Sequence, residues 1–360
     1  MNKRIVVKIG SNVLTKDDRR LDFTRMSAIV DQIASLHQCG VEVVLVSSGA
    51  VASGRNEVKV DKVLDSISAR QLFSAVGQAK LINHYYELFR EQGLCCGQIL
   101  TTKDSLSTRR QYLTQKHCME VMLANQVIPI VNENDTISVT ELMFTDNDEL
   151  SGLVATMMNA DMLIILSNID GIYDGNPEDL QSRVIRKINN LEMDLSKYIQ
   201  TEKSSFGRGG MLTKSKIARK VSEQGIEVII ANGKKDNILL DLVLQDKDVV
   251  CTRFVPYSHS VSSIKKWIAY SENFAKGTVY INAGAEQAVL SSKASSLLFV
   301  GITRIEGEFE KDDIVHIVNE DGKNIGVGRA NFGSLEARDF IGMKNKKPLI
   351  HYDYLCLNQE

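Results

Sequence analysis

The chain has 360 residues, a formal net charge of −2, 43% hydrophobic and 24% charged residues, which is ample length for two or three domains of ordinary soluble composition. The balanced charge gives no bulk attraction to nucleic acid or to an anionic membrane. Four prolines and the absence of any low-complexity run argue against long disordered tails.

The first element is "RIVVKIG", a buried strand ending in glycine. Its apolar run is too short for a secretory signal and holds a charged residue, Lys8. Phe23, Met26, Ile29, Val30, Ile33 and Leu36 then recur at helical spacing, and Gly40 stops that helix. "VEVVLVSSGAV" is a second buried strand that runs into small residues and a helix. "QVIPIVNEND" and "ADMLIILSNIDGIYD" are two more, and "GIEVIIANG" follows a helix that begins near Met211. Strands that are apolar throughout, with helices between them, predict an open, mainly parallel α/β sheet covered on both faces. That pattern lasts to about Val250. "FVPYSHSVSSIKKW" reads as a linker. From Gly277 the segments are short and strand-like, and Asp321-Gly322 predicts a hairpin turn, so the tail reads as a separate small β-barrel.

No stretch reaches the roughly 18 apolar residues of a membrane span, so no membrane partner is expected. The six cysteines form no C-x-x-C pair, and Cys95 and Cys96 are adjacent, which is poor geometry for a mutual disulfide. They read as reduced thiols of a cytoplasmic protein. The six histidines are scattered and none pairs with a cysteine at ligand spacing, so no zinc site is expected.

Ligands of an open parallel sheet bind beyond the carboxyl ends of its strands, so the polar residues there carry the functional reading. Lys8 inside an apolar strand is costly unless its ammonium meets a partner, either a phosphoryl group or, as a snorkelling side chain, water. Ser47-Ser48-Gly49-Ala50 can expose backbone N–H groups to an anion, or serve as a plain helix cap. Asn132-Glu133-Asn134-Asp135 and Thr145-Asp146-Asn147-Asp148-Glu149 flank "TISVTELMF", which alternates like an exposed hairpin. If that hairpin folds back, two acidic clusters converge where a cationic amino group could sit; otherwise they are solvated turns. Ser167-Asn168 begins a turn-rich loop. "SSFGRGGMLTKSK", residues 204–216, is glycine-rich, leads into a helix, and carries Lys214 one turn in; this suits a phosphate at a helix N-terminus. It is not a Walker loop, which needs G-x-x-x-x-G-K-[ST], and no G-x-G-x-x-G follows the first strand.

"VVKIGSNVL", "VLVSSGAV", "VIPIVNEND", "FTDNDELS", "LSNIDGIYDGNP" and "GRGGMLTK", in this order, resemble the amino acid kinase family, and the tail from Gly277 resembles a PUA domain. The resemblance implies a three-layer kinase domain over residues 1–254, a linker over 255–276 and a PUA-like domain over 277–360. It is greatest to the branch that uses ATP to phosphorylate the side-chain carboxylate of L-glutamate, the first step of proline synthesis. It implies that Lys8 and Lys214 stabilise the transferring charge and that Asp148 orients them. Ser48, Gly49, Asp135, Asp146 and Asn147 match the glutamate site. Lys8, Gly10, Ser167, Asn168 and the run Arg208, Gly209, Gly210, Met211, Leu212, Thr213 and Lys214 match the ATP site, with Gly10 and Gly49 as backbone donors. Mg²⁺ would ride on the phosphates without a protein cage.

Other implied properties are feedback inhibition by proline and a homo-oligomer, dimer or tetramer. PUA domains usually bind RNA, but this tail mixes its basic residues with acids and has no basic stripe with interleaved aromatics, so RNA is the weaker expectation. Many relatives have Thr-Asp where Ser167-Asn168 stand and Thr where Arg208 stands. Both charge changes make the ATP site more positive, and Arg208 is expected to reach a phosphate.

Overall fold

The computed structural model describes residues 3–16, 18, 20–61, 63–106, 109–138, 146–179, 181–189, 210–245, 247–257, 268, 275–291 and 295–357. The chain forms two compact units, Met1–Thr102 with Gln115–Ser260, and Lys103–Thr114 with Val261–Glu360. Most of the expected linker, and the expected hairpin from residue 139 onward, lie outside the described residues.

In chain order the first unit contains β1 (Arg4–Ile9), α1 (Ser11–Leu14), α2 (Phe23–Gln38), β2 (Glu42–Ser47), α3 (Ala50–Arg55), α4 (Ser66–Glu91) and β3 (Cys95–Thr101). Helix α5 (Arg109–Ala124), which belongs to this unit only from Gln115 on, β4 (Val127–Glu133), α6 (Asn147–Met157), β5 (Met162–Ser167), β6 (Lys187–Ile188), α7 (Met211–Ser222), β7 (Glu227–Asn232), α8 (Ile238–Val243) and β8 (Thr252–Phe254) follow. The eight strands make one sheet in the order β3-β4-β2-β1-β5-β7-β8-β6. All neighbours pair in parallel except β7 with β8. The five apolar runs form β1, β2, β4, β5 and β7. Strands β3, β6 and β8 have no counterpart among the expected ones. The reason is visible in β3, "CCGQILT", an edge strand that is only partly buried and so lacks a continuous apolar run.

The alternation of side chains along a strand decides which face Lys8 occupies. Ile5, Val7 and Ile9 point into a core shared with Ile29 and Ile33 of α2, Leu81, Tyr85 and Phe89 of α4, and Leu239 of α8. Lys8 therefore points to the opposite face, where α6 packs against β1, β2, β4 and β5. Every residue of α6 from Asp148 to Met157 is buried, so this helix is enclosed on all sides. Strand β1 lies at the centre of the sheet, with Lys8 in register with Val46 on one side and Ile165 on the other. The sheet thus delivers a lysine to its own middle, next to a buried helix N-terminus.

The second unit carries β9 (Gly277–Ile281), α9 (Ala283–Leu290), β10 (Ile302–Gly307), β11 (Ile314–Val318), β12 (Asn324–Arg329), α10 (Ser334–Asp339) and β13 (Leu355–Leu357). Its sheet has the order β10-β9-β11-β12-β13 and is antiparallel except for β9 with β11. Gly322 has φ +79° and turns the chain from β11 into β12, as Asp-Gly predicts. Phe299, Phe332 and Phe340 pack edge to face in its core.

Helices α3 and α4 touch backbone to backbone. A Cβ on Gly54 would lie 1.8 Å from Phe73 O, and one on Gly77 would lie 1.8 Å from Ala50 O. Only a missing side chain allows this approach. Gly77→Ala is therefore expected to destabilise the protein by about 1–3 kcal/mol, the range for overpacking a filled core. Urea denaturation of the two proteins measures it, and equal midpoints would refute the close contact.

Candidate active site

A cavity of about 840 Å³ opens beyond the carboxyl ends of β1, β2, β4 and β5. Lys8 from β1, Asp148 from the first turn of α6 and Lys214 from α7 meet on its wall. Lys8 Nζ lies 2.5 Å from Asp148 Oδ1, and Lys214 Nζ lies 2.9 Å from Asp148 Oδ2. The Asp148 side chain is fully buried; those of Lys8 and Lys214 are 5% and 11% exposed. One carboxylate thus holds two ammonium groups apart and in place. Burial pushes a carboxyl up, but here the two adjacent ammoniums override it and hold Asp148 below the ordinary carboxylate range. The three groups together carry one net positive charge, with Asp146 beside them on the same wall.

Asp146 caps α6. Its Oδ1 accepts the N–H of Asp148 at 2.8 Å and of Glu149 at 3.1 Å, the usual task of an aspartate at this position. Its Oδ2 is buried without a hydrogen-bond partner among the described residues. Burial, and then the charge of Asp148, push the Asp146 carboxyl up to about 6.

Asn147 joins the strand ends to the helix. Its Nδ2 lies 3.0 Å from Ser48 Oγ, 3.0 Å from Asn132 Oδ1 and 3.3 Å from Ser47 O. Beneath it, Ser47 Oγ donates to Ser48 O at 3.0 Å and meets the buried Tyr85 hydroxyl at 2.7 Å. A serine has one proton to give, so the Tyr85 O–H donates to Ser47. Gly49 has φ +106°, a conformation that favours glycine, and its missing side chain leaves room for Leu21. The two acidic clusters of the sequence do converge here. Asn132, Glu133 and Asp135 line the same cavity as Asp146, Asn147 and Asp148.

Of the residues expected at the nucleotide, Lys8, Gly10, Ser167, Asn168, Gly210, Met211 and Lys214 line the cavity. Leu212 and Thr213 do not; they belong to the first turn of α7, and Leu212 faces outward. Arg208 and Gly209 lie outside the described residues. Gly10 is not the backbone donor expected of it, because its N–H already donates to Leu166 O at 3.1 Å. The N–H groups of Ser11 and Asn12, which open α1 one step later, have no partner within that helix. Gly210 caps α7 with no side-chain hydrogen bond; the rest of the glycine-rich run lies outside the described residues.

Among the cavity residues that escape the sequence reading, Arg70 stands out by its ion pairs. Arg70 of α4 places Nη2 3.0 Å from Glu133 Oε2 and also on Asp135 Oδ1. Nothing in "SISARQLFS" distinguishes it from a solvated helix arginine; only the path of α4 past the end of β4 does. Formally this cluster carries one net negative charge, opposite to the Lys8–Asp148–Lys214 triad. The cavity therefore has a cationic group and an anionic group on its walls. Among the described residues no three His, Cys, Asp or Glu side chains gather as a metal cage.

The sequence profile of the amino acid kinase family matches residues 3–232, and that of the PUA domain matches residues 277–351. The chain is 66% identical over 354 residues to a glutamate 5-kinase of Bacteroides thetaiotaomicron, covering 98% of each chain. It is 46% identical over 360 residues to a glutamate 5-kinase of Chlorobaculum tepidum, covering 99% of this chain and 97% of the relative. The carbamate kinase of Giardia lamblia bound to AMP-PNP superposes with a TM-score of 0.52 at 17% identity, covering 71% of this chain and 99% of that one; the likeness is one of fold.

The Asp146 carboxyl makes stability depend on pH with a definite sign. It ionises near its ordinary 3.8 when unfolded and at about 6 when folded. Between those values the folded state holds the extra proton. Asp146 therefore favours folding at low pH, and this contribution is lost as pH rises through about 6. Asp146→Asn keeps the cap and removes the titration. From pH 4 to pH 7 the variant is expected to gain on the parent by about 1–3 kcal/mol in urea denaturation. A difference that does not change with pH would contradict the assignment.

Proposed function

The chain belongs to the amino acid kinase family, among the glutamate 5-kinases, and on that premise we propose how its cavity divides the work. The reaction moves the γ-phosphoryl group of ATP to the side-chain carboxylate of L-glutamate, giving L-glutamate 5-phosphate, the first step of proline biosynthesis. Donor and acceptor are both anionic, so repulsion is the main obstacle. The buried Lys8–Asp148–Lys214 triad supports the reading most, because it sets two ammonium groups at fixed positions where that charge must be carried. Lys8 acts on the transferring phosphoryl and Lys214 on the nucleotide phosphates. Asp148 positions both.

Glutamate lies at the other group of residues. Ser48, Gly49 and Asn147 hold its carboxylates in place, and Asp135 with Asp146 accepts its ammonium. The net negative charge of the Arg70–Glu133–Asp135 cluster supports this assignment. Ser167, Asn168, Gly210, Met211 and Lys214 hold ATP together with Arg208 and Gly209, with the turn at Ser11 supplying the N–H groups that Gly10 does not. Arg208 reaches a phosphate. Mg²⁺ would be carried mainly by the ATP phosphates. That ion supplies charge neutralisation when bound.

The same reading takes the kinase part as residues 1–254, the linker as 255–276 and the PUA-like part as 277–360. It includes inhibition by proline, a homo-oligomer and a cytoplasmic location. Exposed Leu72, Val76 and Tyr86 on α4 support self-association. No helix among the described residues is long and apolar enough to cross a membrane. RNA binding by the tail remains the weaker proposal; salt-dependent retention of tRNA by the full chain would establish it.

The test is a hydroxamate assay with ATP, Mg²⁺ and a panel of carboxylic acids. Glutamate-dependent hydroxamate is the expected result, and activity with aspartate but none with glutamate would overturn the substrate. In the same assay Lys8→Ala and Lys214→Ala are each expected to lower kcat by about 10²-fold or more, with a smaller change in glutamate KM. A variant with normal kcat removes that lysine from the mechanism.

A further inference from the structure

Arg70 is placed on two carboxylates that belong to a site it does not share a strand or loop with. Its side chain is 16% exposed, against 5% for Glu133 and 10% for Asp135. Nη2 reaches Glu133 Oε2 at 3.0 Å and Asp135 Oδ1 as well, so both acids converge on one nitrogen atom. Two carboxylates that close repel one another in partly buried surroundings, and a cation between them offsets the repulsion.

The backbone of this segment is held by other residues of the same helix. Gln78 Nε2 donates to Glu133 O at 3.2 Å, and Gln71 Nε2 donates to Thr136 O at 2.8 Å. Gln78 is itself met by Gln98 Nε2 at 3.2 Å, from β3. The main chain from 133 to 136 is thus fixed without Arg70. What the guanidinium adds is charge at the carboxylate oxygens, and a fixed direction for Asp135 toward the cavity.

We propose that Arg70 is a positioning residue for substrate recognition: it holds Asp135 against Glu133 and thereby sets the affinity for the α-ammonium group of glutamate. It acts through Asp135 and takes no part in phosphoryl transfer. The inference rests on the reading of Asp135 as an acceptor of that ammonium, and the experiment separates the two.

Steady-state kinetics of the full chain, with glutamate and ATP varied in turn, test it. Arg70→Met is expected to raise glutamate KM at least about tenfold, the effect of losing a charge-assisted hydrogen bond, while ATP KM and kcat stay within about threefold. Arg70→Lys, which keeps the charge, recovers most of the loss. Should Arg70→Met not fold, Arg70→Gln keeps a donor without charge and reads the same quantity. Asp135→Asn raises glutamate KM too, and combining it with Arg70→Met adds little, because both act on one contact.

An Arg70→Met enzyme with normal glutamate KM, beside an Asp135→Asn enzyme with a raised one, overturns this inference and leaves the Asp135 reading standing. Strict additivity in the double variant, or an equal loss toward ATP, also overturns it. A normal glutamate KM in Asp135→Asn removes the reading itself and the inference with it.

Discussion

A carboxylate buried completely inside a protein needs partners, and Asp148 has two. That single requirement organises the first unit. Lys8 comes from the central strand β1, where its alternating position turns it to the face on which α6 packs. Lys214 comes from the first turn of α7, a helix capped by Gly210. Asp148 itself must open a helix, where the positive end of the helix favours an acid. Three elements far apart in sequence are fixed by one charge, and the ammonium groups gain positions that flexible lysines lack.

The same cluster explains why the cavity is divided electrostatically. Lys8, Lys214 and Asp148 together carry one net positive charge on one part of the wall. Arg70, Glu133 and Asp135 leave a negative excess on another part of the wall. An amino acid substrate carries both signs, and so does its meeting with a nucleotide. In the proposed reading the walls meet each part with the opposite charge, and Asn147 ties the segments together through Ser48 and Asn132. Asp146 stands next to the positive group with its carboxyl pushed up by burial and by Asp148. The protein therefore holds two neighbouring aspartates, two residues apart, whose proton affinities are moved in opposite directions.

Much of this arrangement is legible in the amino-acid sequence. Five strands of the sheet appear as apolar runs, and Lys8 stands out in one of them because an unpartnered lysine there is costly. The two acidic, amide-rich clusters are visible, and so is the glycine-rich run ahead of Lys214. What the sequence hides has physical causes. Strand β3 sits at an edge and needs no continuous apolar run. The contact of Gly54 and Gly77 is an agreement between two helices that neither shows alone. Gly10 has the look of a phosphate donor, but its N–H answers to Leu166 on the neighbouring strand. Arg70 resembles any surface arginine, because its partners lie 63 and 65 residues away.

The account stands on Asp148 holding Lys8 and Lys214 in place for the chemical step. Asp148→Asn keeps the shape of the side chain and removes the charge, leaving two ammonium groups to repel each other. The most direct measurement is kcat of that variant at saturating ATP and glutamate, with folding checked by thermal denaturation. The account predicts a folded protein whose kcat has fallen about 10²-fold or more. A folded Asp148→Asn enzyme that turns over at the parent rate would contradict it.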